Sequence, residues 1–227
     1  MGSEMCIRDR VVAAVSDRIA LQVIAGEVSK QGADLHRIIP TPGDFRKTNE
    51  ATARLAVDLL GFDVERADIA EGLGRSQLPG RTETMQEDPL VILDGAHNPQ
   101  KVASLAGWFV REYPHAKPVI VAGFLESKDA RAMLHALTPL ASHFVMTEPF
   151  IDEKPATNAE LLAELSRELA FDGMVRVESD PLTAVAVAID LARRSGQPLL
   201  VTGSLYLIGN VRGRWYPDDD VLLQRTP

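Results

Sequence analysis

The sequence has one cysteine, no long apolar run and no cluster of positive charge. Cys6 alone cannot form an internal disulfide or a zinc–cysteine site, which fits a reducing cytoplasm. No uninterrupted apolar stretch could span a bilayer, and Arg8 and Arg10 interrupt the run that a signal peptide needs. The formal net charge of −8 and the lack of a Lys/Arg run disfavour nonspecific nucleic-acid binding. We expect a cytoplasmic monomer with no nucleic-acid or membrane partner.

Two ligand-binding patterns are missing as well. The sequence has no Gly-x-x-x-x-Gly-Lys-Ser/Thr motif, so nothing in it can wrap the β- and γ-phosphates of a nucleotide. Four of its five histidines show no metal-ligand spacing and are assigned no role: His36, His115, His135 and His143. What remains is an ordinary globular composition, 45% hydrophobic and 25% charged over 227 residues, with enough apolar material for one or two domains.

The most informative stretch runs from Leu90 to Pro99. Its four aliphatic residues, Leu90–Leu93, predict a buried parallel strand. Apolar residues at helical spacing follow Pro99, so Asn98 is the predicted N-cap and Pro99 the first helical residue. The turn Asp94–His97 therefore lies at the carboxyl end of a strand, which is where open α/β sheets bind ligands.

From this stretch onward, strands and helices alternate regularly. The predicted strands are Leu90–Leu93, Pro118–Ala122, His143–Met146, Met174–Val177 and Pro198–Val201. The predicted helices are Pro99–Arg111, Ala130–Leu137, Asn158–Ala170, Pro181–Ser195 and one after Ser204. This alternation predicts an α/β fold, a mostly parallel, Rossmann-like sheet flanked by helices.

The preceding part of the chain is different. Residues 1–10 look non-native, because Glu4–Arg10 resembles translated sequencing adaptor, and we leave them out of the fold prediction. Apolar spacing predicts helices over Val11–Val28, Thr48–Leu60 and Arg66–Leu73, with a short strand at Leu35–Ile39. This pattern is typical of the end of a helical layer, and the Pro79-Gly80 pair after it indicates an interdomain hinge.

Three motifs in a fixed order carry a resemblance to a known family. They read Pro-Gly-Arg at 79–81, Asp-Gly-Ala-His-Asn-Pro at 94–99 and Val-Thr-Gly-Ser-Leu-Tyr-Leu-Ile-Gly at 201–209. Together they resemble folylpolyglutamate synthase/dihydrofolate synthase, an ATP-dependent amide ligase of the Mur ligase superfamily. The resemblance covers roughly Val11 to Trp215 and matches only the later part of such an enzyme.

The resemblance implies a domain division and a reaction. Residues 11–82 would be the tail of the central ATP-binding domain with the hinge, and residues 83–227 the C-terminal glutamate ligase domain. The parent enzyme uses ATP and Mg²⁺ to convert a folate or dihydropteroate carboxylate to an acyl phosphate, which the amine of L-glutamate attacks. In the family the phosphate loop and the magnesium ligands lie in the N-terminal domain. We therefore expect the chain to be a fragment that is inactive by itself.

Three residues are candidates for nucleotide contacts. By position alone, Asp94 either accepts hydrogen bonds from ribose hydroxyls or caps its turn, and Arg81 either binds phosphate or is a solvated linker residue. Asn49 lies at the start of its predicted helix and could be a plain cap. The resemblance implies ATP contacts for all three residues, with Asn49 near the adenine.

Three further residues are candidates on the substrate side. His97 could be a metal ligand, a base or a neutral donor, and we favour a catalytic or binding role near the transferred phosphate or the incoming glutamate. Ser204 follows a buried strand and opens a helix; it is either a simple cap or, as the resemblance implies, a contact to glutamate carboxylate. Lys128 is a substrate-binding candidate by resemblance, although Ser127 precedes it where the family usually has Asp.

Two alternatives stay open. One is a noncatalytic nucleotide-binding module that has lost its ATPase half. The other is a fragment of a different Mur-type amino acid ligase, which would more typically have Tyr in place of Gly95.

Overall fold

Two kinds of architecture follow one another along the chain. In the computed structural model, which describes residues 9–41, 44–61, 64–75 and 78–217, the chain divides into a first unit of residues 1–76 and a second unit of residues 77–227. The predicted non-native residues 1–8 lie outside the described ranges. The assignment of the first unit to a central ATP-binding domain stays a prediction.

The first unit has two short parallel strands and three helices. Its elements are β1 (Arg10–Ala13), α1 (Arg18–Lys30), β2 (Asp34–Arg37), α2 (Phe45–Leu60) and α3 (Arg66–Arg75). The predicted strand near Leu35 and the predicted helices that begin at Thr48 and Arg66 are confirmed as elements.

The predicted helix over Val11–Val28 is wrong in its first part. Val11 and Val12 lie in β1 and pair with Leu35 and His36 of β2 in parallel register. The helix begins only after Asp17, whose carboxylate accepts a hydrogen bond of 2.7 Å from the backbone N–H of Ala20. A short apolar run fits a strand or a helix equally well, and here pairing of the β-branched Val11 and Val12 with β2 decided for the strand.

The predicted start of α2 is also wrong. Asp44 caps this helix, because its carboxylate accepts a hydrogen bond of 3.0 Å from the backbone N–H of Lys47. Asn49 is therefore not the cap; it lies one turn inside the helix and its side chain is exposed. A carboxylate is as good a cap as an amide, and the earlier one extends the helix by a turn.

The second unit has the predicted alternation of strands and helices. Its elements are β3 (Glu83–Glu87), β4 (Leu90–Asp94), α4 (Pro99–Glu112), β5 (Val119–Ala122), α5 (Ala130–Leu137), β6 (His143–Met146), α6 (Ala159–Glu168), β7 (Met174–Val177), α7 (Pro181–Ser195), β8 (Leu199–Thr202) and α8 (Leu205–Arg212). The five predicted strands are confirmed, each to within one residue at either end.

The six strands form one sheet in the order β3-β4-β8-β5-β6-β7. All neighbouring pairs are parallel except β3 with β4, which is antiparallel. The mostly parallel α/β fold is therefore confirmed. Strand β3 was not predicted, because Glu83–Glu87 is polar and without apolar alternation; it is an edge strand, where charged residues are common.

Helices cover both faces of this sheet. Alternate strand residues pack against α7 and α8 in one buried cluster, which includes Val91, Leu93, Val121, Val201, Val185, Ala188, Leu207 and Ile208. The strand residues between them, such as Ile92, Ile120 and Phe144, point to the opposite face, on which α4, α5 and α6 lie side by side. The strand interiors are fully buried because both faces are covered.

Each helix of the second unit begins at a polar cap in the segment that follows a strand. The caps are Asn98, Asp129, Asn158, Asp180 and Ser204, and each accepts a hydrogen bond from a backbone N–H of its first turn. The hydroxyl and backbone N–H of Thr183 lower the pKa of the Asp180 carboxyl. These caps satisfy backbone donors at the helix starts and so fix where each helix begins at the carboxyl edge of the sheet.

Within the described ranges, none of the helices combines the length and the apolar character that a bilayer span requires.

We expect the two units to differ in protection from hydrogen exchange. In the described part of the first unit the buried apolar residues are Ala13 and Val28, whereas β4, β5 and β8 are fully buried. Amides that open only by global unfolding exchange most slowly. Exchange followed by mass spectrometry should find slow amides in 90–94 and 199–202 and faster exchange across α1 and α2. Equal protection of the two units would contradict this.

Candidate functional site

The carboxyl edge of the sheet has a topological switch point at β8. This strand lies between β4 and β5, but the chain reaches it last. From β4 the chain continues into α4, which packs beside α5, whereas from β8 it continues into α8, which packs with α7 on the opposite face. Loops that leave neighbouring strands toward opposite faces leave a crevice between them, and ligands bind in such crevices. Asp94 and Thr202 are register partners at this point.

The Asp94 carboxylate joins two turns of the chain. Its Oδ1 accepts a hydrogen bond of 2.8 Å from the N–H of Ala96, and its Oδ2 accepts one of 2.8 Å from the N–H of Thr82. A third bond of 2.8 Å runs from the N–H of Gly95 to the carbonyl of Gly80. Two of these bonds, at Thr82 and Gly80, hold the Pro-Gly-Arg turn against the turn after β4, and Arg81 lies between these two residues.

Thr82 has a strained backbone in this arrangement. Its φ is +46°, in the left-handed region that a β-branched residue rarely adopts, and the residue is buried. Such a conformation costs roughly 1–2 kcal/mol, and it persists only where the surroundings determine it. Here the bond from its N–H to Asp94 does so. Strain of this kind is concentrated at functional sites in proteins.

A mostly buried ion pair holds the same turn from the other side. Arg212, near the end of α8, donates from Nε and Nη2 to Glu83 Oε1 at 3.1 and 2.8 Å, and the two side chains are 14% and 13% exposed. Glu83 Oε2 accepts a further bond of 2.8 Å from the N–H of Gly80. The pair therefore connects α8 to the turn that carries Arg81.

Two glycines allow the loops at this edge to lie against each other. A Cβ on Gly95 would come within 2.1 Å of Leu205 Cδ2, at the start of α8. A Cβ on Gly203 would come within 2.5 Å of the Gly123 carbonyl oxygen, and Gly203 has a φ of +114°. A side chain at either position would push apart the loops that follow β4, β8 and β5.

His97 has hydrogen-bond partners on both ring nitrogens. Nδ1 lies 2.7 Å from the carbonyl oxygen of Gly95, and Nε2 lies 3.1 Å from the Lys101 ammonium. The ring is half-buried on the turn after β4, close in the chain to Asp94. Because it is fixed at both nitrogens, it has one orientation at the mouth of the crevice.

Ser204 caps α8, which is one of the two roles that the sequence predicted for it. Its hydroxyl oxygen accepts a hydrogen bond of 3.1 Å from the N–H of Tyr206, and the residue is 2% exposed. The neighbouring Thr202 is fully buried, and its Oγ1 has no hydrogen-bond partner among the described residues. An orphaned hydroxyl at the end of β8 is a polar atom that a ligand in the crevice could satisfy.

Lys128 lies in the loop after β5, on the far side of β8 from Asp94. Its side chain is half-buried and has no carboxylate partner in the ranges that the structure describes. The carboxyl edge therefore brings together five of the six predicted residues, on the turn before β3, at the end of β4 and the turn after it, and on the loops after β8 and β5: Arg81, Asp94, His97, Ser204 and Lys128. Asn49 belongs to the first unit.

Sequence reasoning missed four residues that shape this site: Thr82, Glu83, Lys101 and Arg212. A Pro-Gly-Arg turn followed directly by Thr-Glu was a local signal for the first two residues. The spacing of four between His97 and Lys101 on one helix was a signal for the third, since such residues are neighbours. Arg212 has no comparable local signal, because its partner lies 129 residues away.

No cluster of three or more acidic, histidine or cysteine residues that could hold a metal ion occurs within residues 9–41, 44–61, 64–75 and 78–217.

We expect the loss of one partner of the Glu83–Arg212 pair to destabilise the second unit strongly. Arg212→Met leaves a mostly buried carboxylate without its partner and should lower the free energy of unfolding by about 3 kcal/mol. Glu83→Gln with Arg212→Met should cost less than the sum of the single changes, by on the order of 1–3 kcal/mol. Urea unfolding measures both values.

The control is Arg193→Met. Its partner Asp190 is exposed, so we expect a loss within about 0.5 kcal/mol. Additive effects of the two changes at Glu83 and Arg212 would show that the pair does not act as a unit.

Comparison with known proteins identifies the domain that forms this site. Residues 80–205 match the family model described as "Mur ligase, glutamate ligase domain". The chain is 38% identical over 178 residues to a Halobacterium salinarum protein named "Probable bifunctional folylpolyglutamate synthase/dihydropteroate synthase", covering 78% of this chain and 21% of that protein. It is 29% identical to the Escherichia coli dihydrofolate synthase/folylpolyglutamate synthase, covering 77% of this chain and 38% of the relative.

The fold is shared with solved structures of the same kind. Folylpolyglutamate synthase of Mycobacterium tuberculosis, in crystals with ADP and AMPPCP, superposes with a TM-score of 0.82 at 22% identity, over 92% of this chain and 55% of that one. The chain thus spans between a fifth and two fifths of the length of these two curated relatives. Because the family model covers more than half of its residues, the chain belongs to the Mur ligase family, through the glutamate ligase domain.

Proposed function

We propose that this chain is the carboxy-terminal part of an ATP-dependent ligase that joins L-glutamate to a folate or dihydropteroate. The observation that carries the proposal is the pair of turns held together by Asp94, which sets Arg81 beside the switch-point crevice. The relatives support the substrate class, since they are named folylpolyglutamate and dihydrofolate synthases.

Arg81 is proposed to bind a nucleotide phosphate. Its side chain is half-buried and has no carboxylate partner among the described residues, so its guanidinium is available. A guanidinium can donate two parallel hydrogen bonds to a phosphate. The backbone bonds at Gly80 and Thr82 fix the turn from which this side chain extends.

Asp94 is proposed to contact the ribose while it holds the two turns. Its two oxygens accept hydrogen bonds from the N–H groups of Ala96 and Thr82, which fixes the orientation of the carboxylate at the end of β4. The residue is 4% exposed, so a ribose must approach along the crevice to reach it. Any substitution of Asp94 disturbs both functions, which makes Arg81 the cleaner residue for a binding test.

The other candidates are proposed to contact glutamate, the reacting groups or the adenine of the nucleotide. The proposed hydrogen-bond donors to the glutamate carboxylates are the Ser204 hydroxyl at the start of α8 and the Lys128 ammonium, which lie on the loops after neighbouring strands. His97 is proposed to act where the amine meets the acyl phosphate. Asn49, exposed on α2, is proposed to contact the adenine.

The proposed reaction has two steps. A carboxylate oxygen of the folate or dihydropteroate attacks the γ-phosphorus of ATP, which releases ADP and leaves an acyl phosphate. The neutral glutamate amine then attacks the acyl carbon, the carbon–oxygen bond to phosphate breaks and releases inorganic phosphate, and the nitrogen loses one proton to solvent as the amide forms. Catalysis of this type is mainly positioning and neutralisation of charge. Mg²⁺ would neutralise phosphate charge, and its ligands are proposed to lie outside this chain.

We expect the purified chain to release no ADP from ATP when dihydropteroate and L-glutamate are present. The reason is that the sequence has no phosphate loop to hold the β- and γ-phosphates. A coupled ADP assay measures this, with a vector-only preparation as the control. Glutamate-dependent ADP release above that control would contradict the proposal that the reaction needs a phosphate loop outside this chain.

We also expect weak ADP binding at the switch point. Titration of ADP into ¹⁵N-labelled chain should shift the amides of residues 80–82 and 94–97. Arg81→Met removes a charge-assisted contact worth about 1.5–3 kcal/mol, so affinity should fall on the order of 10- to 100-fold. Arg111→Met, an exposed cation at the other end of α4, is the matched control.

Two outcomes would decide against the proposal. If Arg81→Met binds ADP as well as the unchanged chain, Arg81 is not a phosphate contact. If the chain binds ADP tightly, at submicromolar concentration, without turnover in any reconstituted mixture, the noncatalytic nucleotide-binding module is the better description.

A further inference from the structure

The imidazole of His97 lies between a group that can only accept and a group that can only donate. The Gly95 carbonyl oxygen is 2.7 Å from Nδ1, and the Lys101 ammonium nitrogen is 3.1 Å from Nε2. A carbonyl has no proton to give, and an ammonium has no lone pair. Both contacts are hydrogen bonds only if Nδ1 carries the proton and Nε2 carries the lone pair.

The other two forms of the ring each break a contact. A proton on Nε2 alone would face the Lys101 ammonium and leave the Nδ1 lone pair against the Gly95 carbonyl. A ring with both protons would keep the Gly95 bond but set an N–H and a positive charge against the ammonium. The observed geometry therefore selects the neutral ring with its proton on Nδ1.

The first turn of α4 fixes the backbone position of Lys101. Asn98 Oδ1 accepts a hydrogen bond of 2.8 Å from the backbone N–H of Lys101, which fixes the first turn of the helix. His97 and Lys101 are four residues apart, so their side chains meet at the N-terminal end of α4. The capping bond that starts the helix therefore also places the Lys101 ammonium within reach of the His97 ring.

The position of Lys101 is not explained by the stability of α4. The macrodipole disfavours a cation in the first turn of a helix by up to about 1 kcal/mol. The side chain is exposed, and in the ranges that the structure describes it pairs with no carboxylate. Its ammonium instead contacts Nε2 of His97.

We propose that Lys101 is a positioning residue for His97, which it holds as the Nδ1–H tautomer so that Nε2 acts as a hydrogen-bond acceptor. The identity of the ligand rests on the proposed function: an acceptor at Nε2 suits the ammonium of L-glutamate, which replaces the Lys101 ammonium there. It does not suit a phosphate oxygen, which needs a donor. Lys101 is exposed and can move aside, because it is bound to the ring by one hydrogen bond.

The test is a measurement of the His97 ring nitrogens in the full chain at neutral pH. Long-range ¹H–¹⁵N correlation spectra of ¹⁵N-histidine-labelled protein distinguish protonated from unprotonated ring nitrogens, and the His97→Gln variant identifies the His97 signals among the five histidines. We expect a protonated Nδ1 and an unprotonated Nε2, and we expect this pattern to persist when inorganic phosphate is added.

Three variants separate positioning from a merely structural contribution. Lys101→Met keeps the length and apolar stem but has no donor, so only the Gly95 contact holds the ring; the ring can then turn, the Nε2–H tautomer should become populated, and the single-tautomer pattern should be lost. Lys101→Arg retains a donor and should restore the pattern. Lys117→Met, an exposed lysine near His115, should leave His97 unchanged. Backbone amide spectra check that each variant is folded.

Three results would overturn the proposal. They are a protonated Nε2 in the unchanged chain, protonation of Nε2 on addition of phosphate, and a His97 pattern in Lys101→Met that equals that of the unchanged chain. None of these depends on nucleotide binding. A failure of the proposed ligase function would appear instead in the ADP titration, with the tautomer unaffected.

Discussion

The carboxylate of Asp94 is the interaction on which the site depends. One oxygen closes the turn after β4, and the other draws in the N–H of Thr82 from the turn before β3. The second bond helps to hold Thr82 at a φ of +46° and the segment that carries Arg81 at the sheet edge. A buried carboxylate needs such donors to remain charged. The fold and the site therefore use the same two oxygens.

The crevice beside Asp94 follows from the order of the strands. Strand β8 enters the sheet last, between β4 and β5, and its loop departs to the opposite face. Because Gly95 and Gly203 have no side chain, the loops around β8 approach each other closely. Glu83 and Arg212 then tie the first turn to the last helix. Residues from both ends of the second unit are thereby fixed around one opening.

Charge at this opening differs from the charge of the whole chain. The chain carries a formal net charge of −8, yet the carboxyl edge presents the cations of Arg81, Lys101 and Lys128. Local cations in a crevice attract anionic groups even when the net charge has the opposite sign, since the field near the site is set by nearby groups. Lys101 differs from the other two in that His97 accepts its hydrogen bond, so its ammonium also fixes the state of that ring.

The sequence by itself determined the alternating α/β pattern, the strand before Asp94 and the helix start at Asn98. Those features arise from apolar periodicity and capping within a few residues, and both are local. Only the tertiary structure decided that Val11 and Val12 form a strand and that Glu83–Glu87 joins the sheet edge, since a short strand exists only with its partner. The Glu83–Arg212 pair likewise joins residues 129 positions apart, and no local pattern encodes a contact that folding alone brings together.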